Sequence, residues 1–133
     1  MVKCADNFIK TLNHAHEIET KNSENSDSFE YRFARSAVIH VFEITIESAW
    51  KMMQRWVKIN ADKAIAQKPK RELFRISAGS GLIADAEQWW KYYDSRNKTS
   101  HTYHEEVAEE VFAIAKQFRD DLNDFMARLE ERR

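Results

Sequence analysis

Glycine and proline are almost absent from this chain, and their scarcity constrains its fold more than any other feature. Among 133 residues there are two glycines and one proline. β-Sandwiches and barrels need many turns between strands, and such turns depend on these two residue types. Hydrophobic residues make up 43% of the chain and charged residues 32%, which is typical of a globular protein. The sequence therefore predicts an all-α fold, and its length suits a single domain over residues 1–133.

Charge and cysteine content bear on partners and compartment. The formal net charge is −1, so any contact with RNA would have to come from a local basic patch. Cys4 is the single cysteine, which excludes an intramolecular disulfide and suits a reducing compartment. The first residues lead into a polar, periodic segment without a long apolar stretch. These features predict a cytoplasmic protein without a signal peptide or a membrane span.

Hydrophobic periodicity predicts two helices in the first half of the chain. Residues 2–20 form the first, and a polar loop follows that ends in a capping pair, Asp27 and Glu30. A long helix is expected over about 28–60. Its apolar stripe is wider than one bundle seam needs and comprises Phe33, Ala34, Ala37, Val38, Val41, Ile44, Thr45, Ala49, Met52, Trp56 and Val57. The excess predicts a second partner for this helix, and a homodimer is the simplest one.

A short third helix and a fourth helix are predicted after residue 68. Pro69 suits the first turn of the third helix, which should end near Ser77, before the glycines at positions 79 and 81. Asp85 and Gln88 form a capping pair that opens the fourth helix, and this helix should close near Arg96.

The fifth predicted helix completes the bundle. Thr102 and Glu105 have the spacing of a capping box, so the helix should start near Thr102. Its apolar residues recur at helical spacing from Val107 to Leu129. The residues thus predict one helical bundle, with the short third helix as a side element.

Three reactive side chains lie at the junction of the last two predicted helices: Arg96, His101 and Tyr103. A helix N-terminus disfavours a protonated imidazole, so His101 is expected to be neutral near pH 7, as a general base must be. Arg96 can bind a phosphate in bidentate fashion and stabilise developing charge. Together they suffice to activate a ribose 2′-hydroxyl against its own phosphodiester. On the residues alone, the alternative is structural: Arg96 caps carbonyls and His101 packs at the junction.

Two carboxylates on the second helix are candidates for a supporting role. Glu43 and Glu47 lie four residues apart on one helix face, where like charges repel. Local pairing, such as Glu47 with Lys51, is one interpretation. The other is that either carboxylate orients Arg96 or His101 from the second helix. No cluster of histidine, cysteine or carboxylate residues has the spacing of metal ligands, so neither a metal nor another cofactor is expected.

The spacing Arg96-x4-His101-x-Tyr103 resembles the signature of the HEPN superfamily, small helical bundles common in prokaryotic defence and toxin–antitoxin systems. Asn97, directly after the arginine, also suits that signature. Two further segments resemble one branch of the superfamily: Phe42-Glu43-x3-Glu47-x2-Trp50-Lys51, and Gly81-Leu82-Ile83 followed by Trp89. That branch comprises the nucleotidyltransferase substrate-binding-like proteins, related to the HepT toxins. The resemblance covers the chain from about residue 30 to about residue 125.

The resemblance implies an all-α, up-and-down four-helix bundle with an additional short helix. It also implies a homodimer with two motifs in a shared cleft, and a minimal nucleotidyltransferase partner encoded nearby. In the toxin branch the residues matching Arg96 and His101 are the ribonuclease residues, and the one matching Tyr103 is where the partner attaches adenylate. Two functions stay open. One is a toxin that cleaves RNA, either tRNA or mRNA, until its partner neutralises it. The other is a non-catalytic nucleotide- or substrate-binding subunit of a nucleotidyltransferase.

Overall fold

The computed structural model describes residues 1–21 and 28–132, which form five α-helices. The helices are α1 (Val2–Lys21), α2 (Phe29–Asn60), α3 (Lys70–Gly79), α4 (Ala86–Asn97) and α5 (Glu105–Glu131). Short 3-10 turns, Ile65–Gln67 and Thr99–His101, precede α3 and α5. The described residues contain no β-strand, which confirms the predicted all-α class. Within these residues, no helix combines the length and the apolar character needed to cross a membrane.

The helices α1, α2, α4 and α5 pack as an up-and-down bundle, and α3 lies beside α2 and α4. Contacts with α5 establish the directions, because α2 runs parallel to α5 whereas α1 and α4 run antiparallel to it. The pairs in contact are Arg35–Glu105 and Phe42–Phe118 for α2, Asn13–Arg119 and Glu19–Lys116 for α1, and Trp89–Phe125 and Tyr92–Gln117 for α4. The predicted architecture of four helices plus a short one is confirmed.

Phe118 of α5 lies at the centre of the core. Its ring is fully buried and contacts aromatic rings from the three other bundle helices. The centroid distances are 5.6 Å to Phe8, 5.4 Å to Phe42, 5.3 Å to Trp89 and 5.0 Å to Tyr92. Aromatic pairs at this range favour edge-to-face geometry, so they fix the rotation of each helix as well as its distance from α5.

One helix start follows its capping prediction, and a second differs from its prediction by one residue. Asp85 caps α4, since its Oδ1 accepts from the backbone N–H groups of Glu87 and Gln88. Pro69 precedes α3 as its N-cap, one residue earlier than predicted. The predicted cap of α2, Asp27, lies outside the described residues. The described N-cap is Ser28, whose Oγ accepts from the N–H of Tyr31 at 3.1 Å.

The broad apolar stripe predicted for α2 is divided between core and surface. Phe33 is 67% exposed and Ile44 is 45% exposed, although both belong to the predicted stripe. The core instead takes Phe42, Ile46 and Met53, which are fully buried. The prediction that α2 carries more apolar surface than the bundle uses is therefore matched by the exposed members of the stripe.

Candidate active site

The motif predicted to carry the chemistry spans the end of α4 and the 3-10 turn Thr99–His101. Side chains close this turn, since the Thr99 hydroxyl donates to the carbonyl of Arg96 at 2.8 Å. The Thr102 hydroxyl in turn donates to the carbonyl of Thr99 at 2.9 Å. The backbone N–H of His101 donates to the carbonyl of Lys98 at 3.0 Å. The connection from α4 to α5 is therefore a compact helical turn.

The predicted capping box of α5 is wrong. This helix begins at Glu105, its N-cap is His104, and no side chain bonds to its first amides. The Thr102 hydroxyl bonds to the carbonyl of Thr99 rather than to an amide of α5, and the Glu105 carboxylate bonds to Arg35 of α2. His101 lies four residues before the helix begins rather than next to its first turn. The predicted effect of the helix dipole on His101 is therefore wrong, because that effect is confined to the first turn.

Arg96 is directed at α2 rather than at the carbonyls of its own helix. Its Nη2 donates to Oε2 of Glu47 at 2.9 Å and lies 3.3 Å from Oε1 of Glu43. The arginine side chain remains 29% exposed. The structure thus brings together the arginine and the two carboxylates singled out from the sequence. The structural alternative, in which Arg96 caps α4, does not describe its contacts.

The charges around Arg96 balance one another. Glu47 also pairs with Lys51, whose Nζ lies 3.3 Å from Oε1. The hydrogen bond from Arg96, followed by the bond from Lys51, holds the pKa of Glu47 below its ordinary value of 4.5. Glu47 is therefore ionised at neutral pH, and with Glu43 it offsets the two cations. Since these charges leave no excess positive charge around Arg96, this group can hold an anion only by direct hydrogen bonds and not by long-range attraction.

Arg96 retains hydrogen-bonding capacity for such a phosphate. Both of its contacts within residues 1–21 and 28–132 use Nη2. A guanidinium carries five N–H donors in a rigid plane, so the donors on Nη1 and Nε remain for a ligand. The carboxylates hold the guanidinium at one nitrogen, and its partial exposure gives a ligand access to the others.

His101, Tyr103 and Asn97 lie at the surface. Asn97 is the last residue of α4 and is exposed. The ring of Tyr103 is 77% exposed, and its centroid lies 6.4 Å from that of His101 and 4.2 Å from that of His104. His101 is also exposed, so the structural alternative of a packed junction histidine does not hold. An imidazole, a phenol and a second imidazole are therefore accessible together.

One group that bears on this site is not among the residues predicted from the sequence. Arg35 of α2 is almost fully buried and bonds to Glu105 and Glu109 of α5. One signal was present, since Arg35 follows Ala34 and precedes Val38 on the inward side of the predicted helix. A charged residue in such a place must be paired.

Within the described residues, no group of three or more histidine, cysteine or carboxylate side chains is arranged to hold a metal.

The ion pair of Glu47 predicts a pH dependence of stability. A carboxylate whose pKa is lowered by folding stabilises the folded state above its ordinary pKa, and this contribution is lost as the pH falls through the lowered value. The decrease in the thermal midpoint from about pH 5 down to about pH 2 should therefore be smaller in Glu47→Gln than in the wild type. Glu17→Gln, an exposed site on α1, is the matched control and should follow the wild type. Identical acid profiles for Glu47→Gln and the wild type would contradict the assignment.

Comparisons with known proteins show the family and the fold to which this chain is related. The family described as nucleotidyltransferase substrate binding protein like matches residues 4–131. A Haemophilus influenzae protein named probable ribonuclease HepT is 34% identical over 100 residues, which cover 73% of this chain and 68% of that protein.

Two solved structures share the fold. One, from Haemophilus influenzae, is described as revealing the fold of a substrate binding domain of a nucleotidyltransferase. It has a TM-score of 0.71 and 28% identity, and the match covers 93% of this chain and 99% of that one. A structure from Thermus thermophilus has a TM-score of 0.65 and 24% identity over 86% of this chain and 98% of its own, which bears on the fold alone. This chain belongs to the family of nucleotidyltransferase substrate-binding-like proteins, within the HepT-related branch of the HEPN superfamily.

Proposed function

We propose that this protein is a metal-independent endoribonuclease that acts in the cytoplasm as the toxin of a toxin–antitoxin pair. The observation that carries the proposal is the arrangement of Arg96. Two carboxylates of α2 hold its guanidinium by one nitrogen and leave N–H donors on the other nitrogens with which a phosphate can bond. An exposed imidazole, His101, lies in the turn that follows directly. The relationship to a protein named as a ribonuclease supports the same conclusion.

The proposed reaction needs one general acid/base and one cation. His101 accepts the proton of a ribose 2′-hydroxyl, and the 2′-oxygen attacks the adjacent phosphorus. The bond to the 5′-oxygen of the next nucleotide breaks, and that oxygen takes a proton from the imidazolium. Arg96 stabilises the charge that develops on the phosphoryl oxygens through its remaining donors, and Asn97 helps to position the substrate. The products are a 2′,3′-cyclic phosphate and a 5′-hydroxyl.

A non-catalytic role is the second candidate. The family description and the Haemophilus influenzae structure both refer to substrate binding by a nucleotidyltransferase component. In that role the free nitrogens of Arg96 hold a nucleotide phosphate, and His101 transfers no proton. The two candidates share a binding site and differ in whether a phosphodiester bond breaks.

Cleavage of RNA in the presence of EDTA distinguishes the two candidates. Purified protein is incubated with total RNA, tRNA or mRNA, and the new ends are identified. We expect 2′,3′-cyclic phosphate ends, with the cleavage rate reduced about 100-fold or more in His101→Ala and in Arg96→Ala. His14→Ala and Arg55→Ala, two exposed sites elsewhere on the bundle, are matched controls and should cleave at the wild-type rate. Intact RNA together with nucleotide binding that depends on Arg96 would replace the ribonuclease with the binding subunit.

A homodimer is part of the proposal, because the exposed apolar residues of α2 need a partner. Phe29 and Phe33 are 81% and 67% exposed, and their rings stack with centroids 6.0 Å apart. Ile44 continues this surface along the helix at 45% exposure. Apolar side chains grouped in this way favour a protein–protein interface. A second copy also brings a second motif to the cleft.

Sedimentation at micromolar concentration tests the dimer. We expect the wild type to sediment as a dimer of a 15.8 kDa chain. Phe33→Asp should shift the distribution towards monomer, because a carboxylate cannot be buried unpaired at the interface. Ile59→Asp is the control, since Ile59 is 74% exposed at the other end of α2. A monomeric wild type would contradict the composite cleft.

Tyr103 is proposed as the residue through which a minimal nucleotidyltransferase neutralises the toxin. Its hydroxyl gives up its proton to solvent as the phenolic oxygen attacks the α-phosphorus of ATP. The bond from this phosphorus to the α,β-bridging oxygen breaks, and pyrophosphate leaves. The adenylate then places a negative charge and a base beside His101, which blocks the cleft sterically and electrostatically. The 77% exposure of Tyr103 suits a residue that must enter another enzyme's active site.

Transfer of label from α-³²P-ATP by a cognate nucleotidyltransferase tests this regulation. Wild-type protein should acquire the label, and Tyr103→Phe should not, because it lacks the acceptor oxygen. Tyr93→Phe, a half-buried tyrosine on α4, is the matched control and should be labelled like the wild type. Label retained by Tyr103→Phe would assign the acceptor to another residue.

A further inference from the structure

Arg35 is a buried cation that joins α2 to the start of α5. It is 5% exposed. Its Nη1 and Nη2 donate to the two carboxylate oxygens of Glu105 at 2.7 and 3.0 Å, which is a bidentate pair. Nη1 also donates to Oε1 of Glu109 at 2.7 Å. Bidentate charge-assisted bonds of this kind fix both distance and orientation.

Tyr31 completes this group, which we call the Arg35 cluster: Tyr31, Arg35, Glu105 and Glu109. The Tyr31 hydroxyl donates to Oε1 of Glu109 at 2.7 Å, and its ring packs edge-on against Phe112 of α5. The bonds from Arg35 hold the pKa of Glu105 below its ordinary value, so this carboxylate is charged at neutral pH. The buried Arg35 guanidinium is thus paired with the carboxylates of Glu105 and Glu109 and lies over the ring of Tyr31.

The Arg35 cluster acts on the helix end that follows the motif. Glu105 is the first residue of α5, and α5 has no capping side chain on its first amides. A helix end without a cap frays easily, because its first N–H groups have no intrahelical acceptor. The backbone connects this end to the motif, since the N–H of His104 donates to the carbonyl of His101 at 3.1 Å. The position of Glu105 therefore determines the position of the backbone from His101 to His104.

Helix α2 thus holds the motif from both sides. Before the turn, its carboxylates Glu43 and Glu47 bind the cation Arg96. After the turn, its cation Arg35 binds the carboxylate of Glu105. The two contacts have opposite polarity and lie on one helix, so α2 fixes the distance between the two ends of the turn.

We propose that Arg35 is a positioning residue for the ribonuclease, acting through Glu105 and Glu109 to hold the turn that carries His101. This inference rests on the function proposed above. Arg35 touches neither the substrate nor the reacting atoms in this assignment. Displacement of a reacting group by about 1 Å can lower a rate by two orders of magnitude. The effect should therefore appear in the rate of cleavage rather than in the binding of RNA.

Single-turnover cleavage at saturating RNA tests the proposal, with the RNA dissociation constant and the thermal midpoint measured alongside. Arg35→Met should lower the cleavage rate roughly 10- to 100-fold at a temperature where the variant is folded, with little change in RNA affinity. Arg35→Lys should recover part of the rate, since it restores the charge without the bidentate geometry. The matched control is Arg128→Met, which removes bonds to Asp124 and Gly81 near the other end of α5 and should cleave at the wild-type rate.

A double-mutant cycle shows whether Arg35 acts through Glu105. The Glu105 side chain is 52% exposed, so Glu105→Gln should fold even where Arg35→Met does not. If the two residues act as a unit, Arg35→Met/Glu105→Gln should lose no more activity than the more impaired single variant. Wild-type rates in folded Arg35→Met and in Glu105→Gln would overturn the proposal, and so would losses that multiply in the double variant.

Hydrogen exchange separates failure of this inference from failure of the ribonuclease proposal. Absence of RNA cleavage by the wild type would refute the enzyme but leave the positioning of the turn testable. In that case the amides of residues 98–104 should still exchange faster in Arg35→Met, or in Glu105→Gln, than in Arg128→Met. Unchanged exchange in these amides would overturn the role of the Arg35 cluster whether or not RNA is cleaved.

Discussion

Ion pairs from helix α2 hold both ends of the turn on which the candidate chemistry depends. Arg96 at the end of α4 bonds to Glu47, and Glu105 at the start of α5 bonds to Arg35. An exposed turn of this length would otherwise sample many conformations, and a catalytic group on it would rarely be in position. Since α2 supplies both partners, the geometry of the turn depends on how α4 and α5 are placed against α2.

The core provides that placement. Phe118 of α5 contacts Phe42 of α2 and Tyr92 of α4, so one ring sets the relation of all three helices. The Tyr92 hydroxyl also bonds to Asp121 and to the carbonyl of Gln117, which fixes the level of α4 along α5. Tyr92 lies about one helical turn before Arg96. The core contacts that fix the position of Tyr92 along α5 therefore also fix where the Arg96 guanidinium contacts α2.

Much of this could be predicted from the sequence, and the failures have physical causes. Periodicity and the lack of glycine and proline indicate the helices, because both act locally along the chain. Thr102 had the spacing of a helix cap, but its hydroxyl bonds to Thr99, so a competing local bond moved the helix start to Glu105. The bond from Arg35 to Glu105 joins residues 70 positions apart, and no local pattern reports such a contact.

For the candidate site too, the sequence predicts which residues take part but not the contacts between distant helices. The residue types at the predicted helix junction point to Arg96 and His101, the family resemblance implies their ribonuclease role, and the spacing of Glu43 and Glu47 on α2 suggests that one of these carboxylates orients Arg96 or His101. The contacts of Arg96 with both carboxylates, and the exposure of His101, follow only from the packed helices. In the function proposed here, these contacts let a protein with a net charge of −1 bind a phosphate without a large basic surface, because fixed donors replace long-range attraction.

A crystal structure with a short RNA that carries a 2′-O-methyl group at the scissile nucleotide tests the central claim most directly. The methyl group blocks cleavage and leaves the phosphate in place. We predict that this phosphate accepts a hydrogen bond from Nη1 or Nε of Arg96 while Nη2 stays on Glu47, with the modified 2′-oxygen beside the His101 imidazole. A phosphate bound away from Arg96, or a His101 ring remote from the 2′-oxygen in both copies of the chain, would contradict the account.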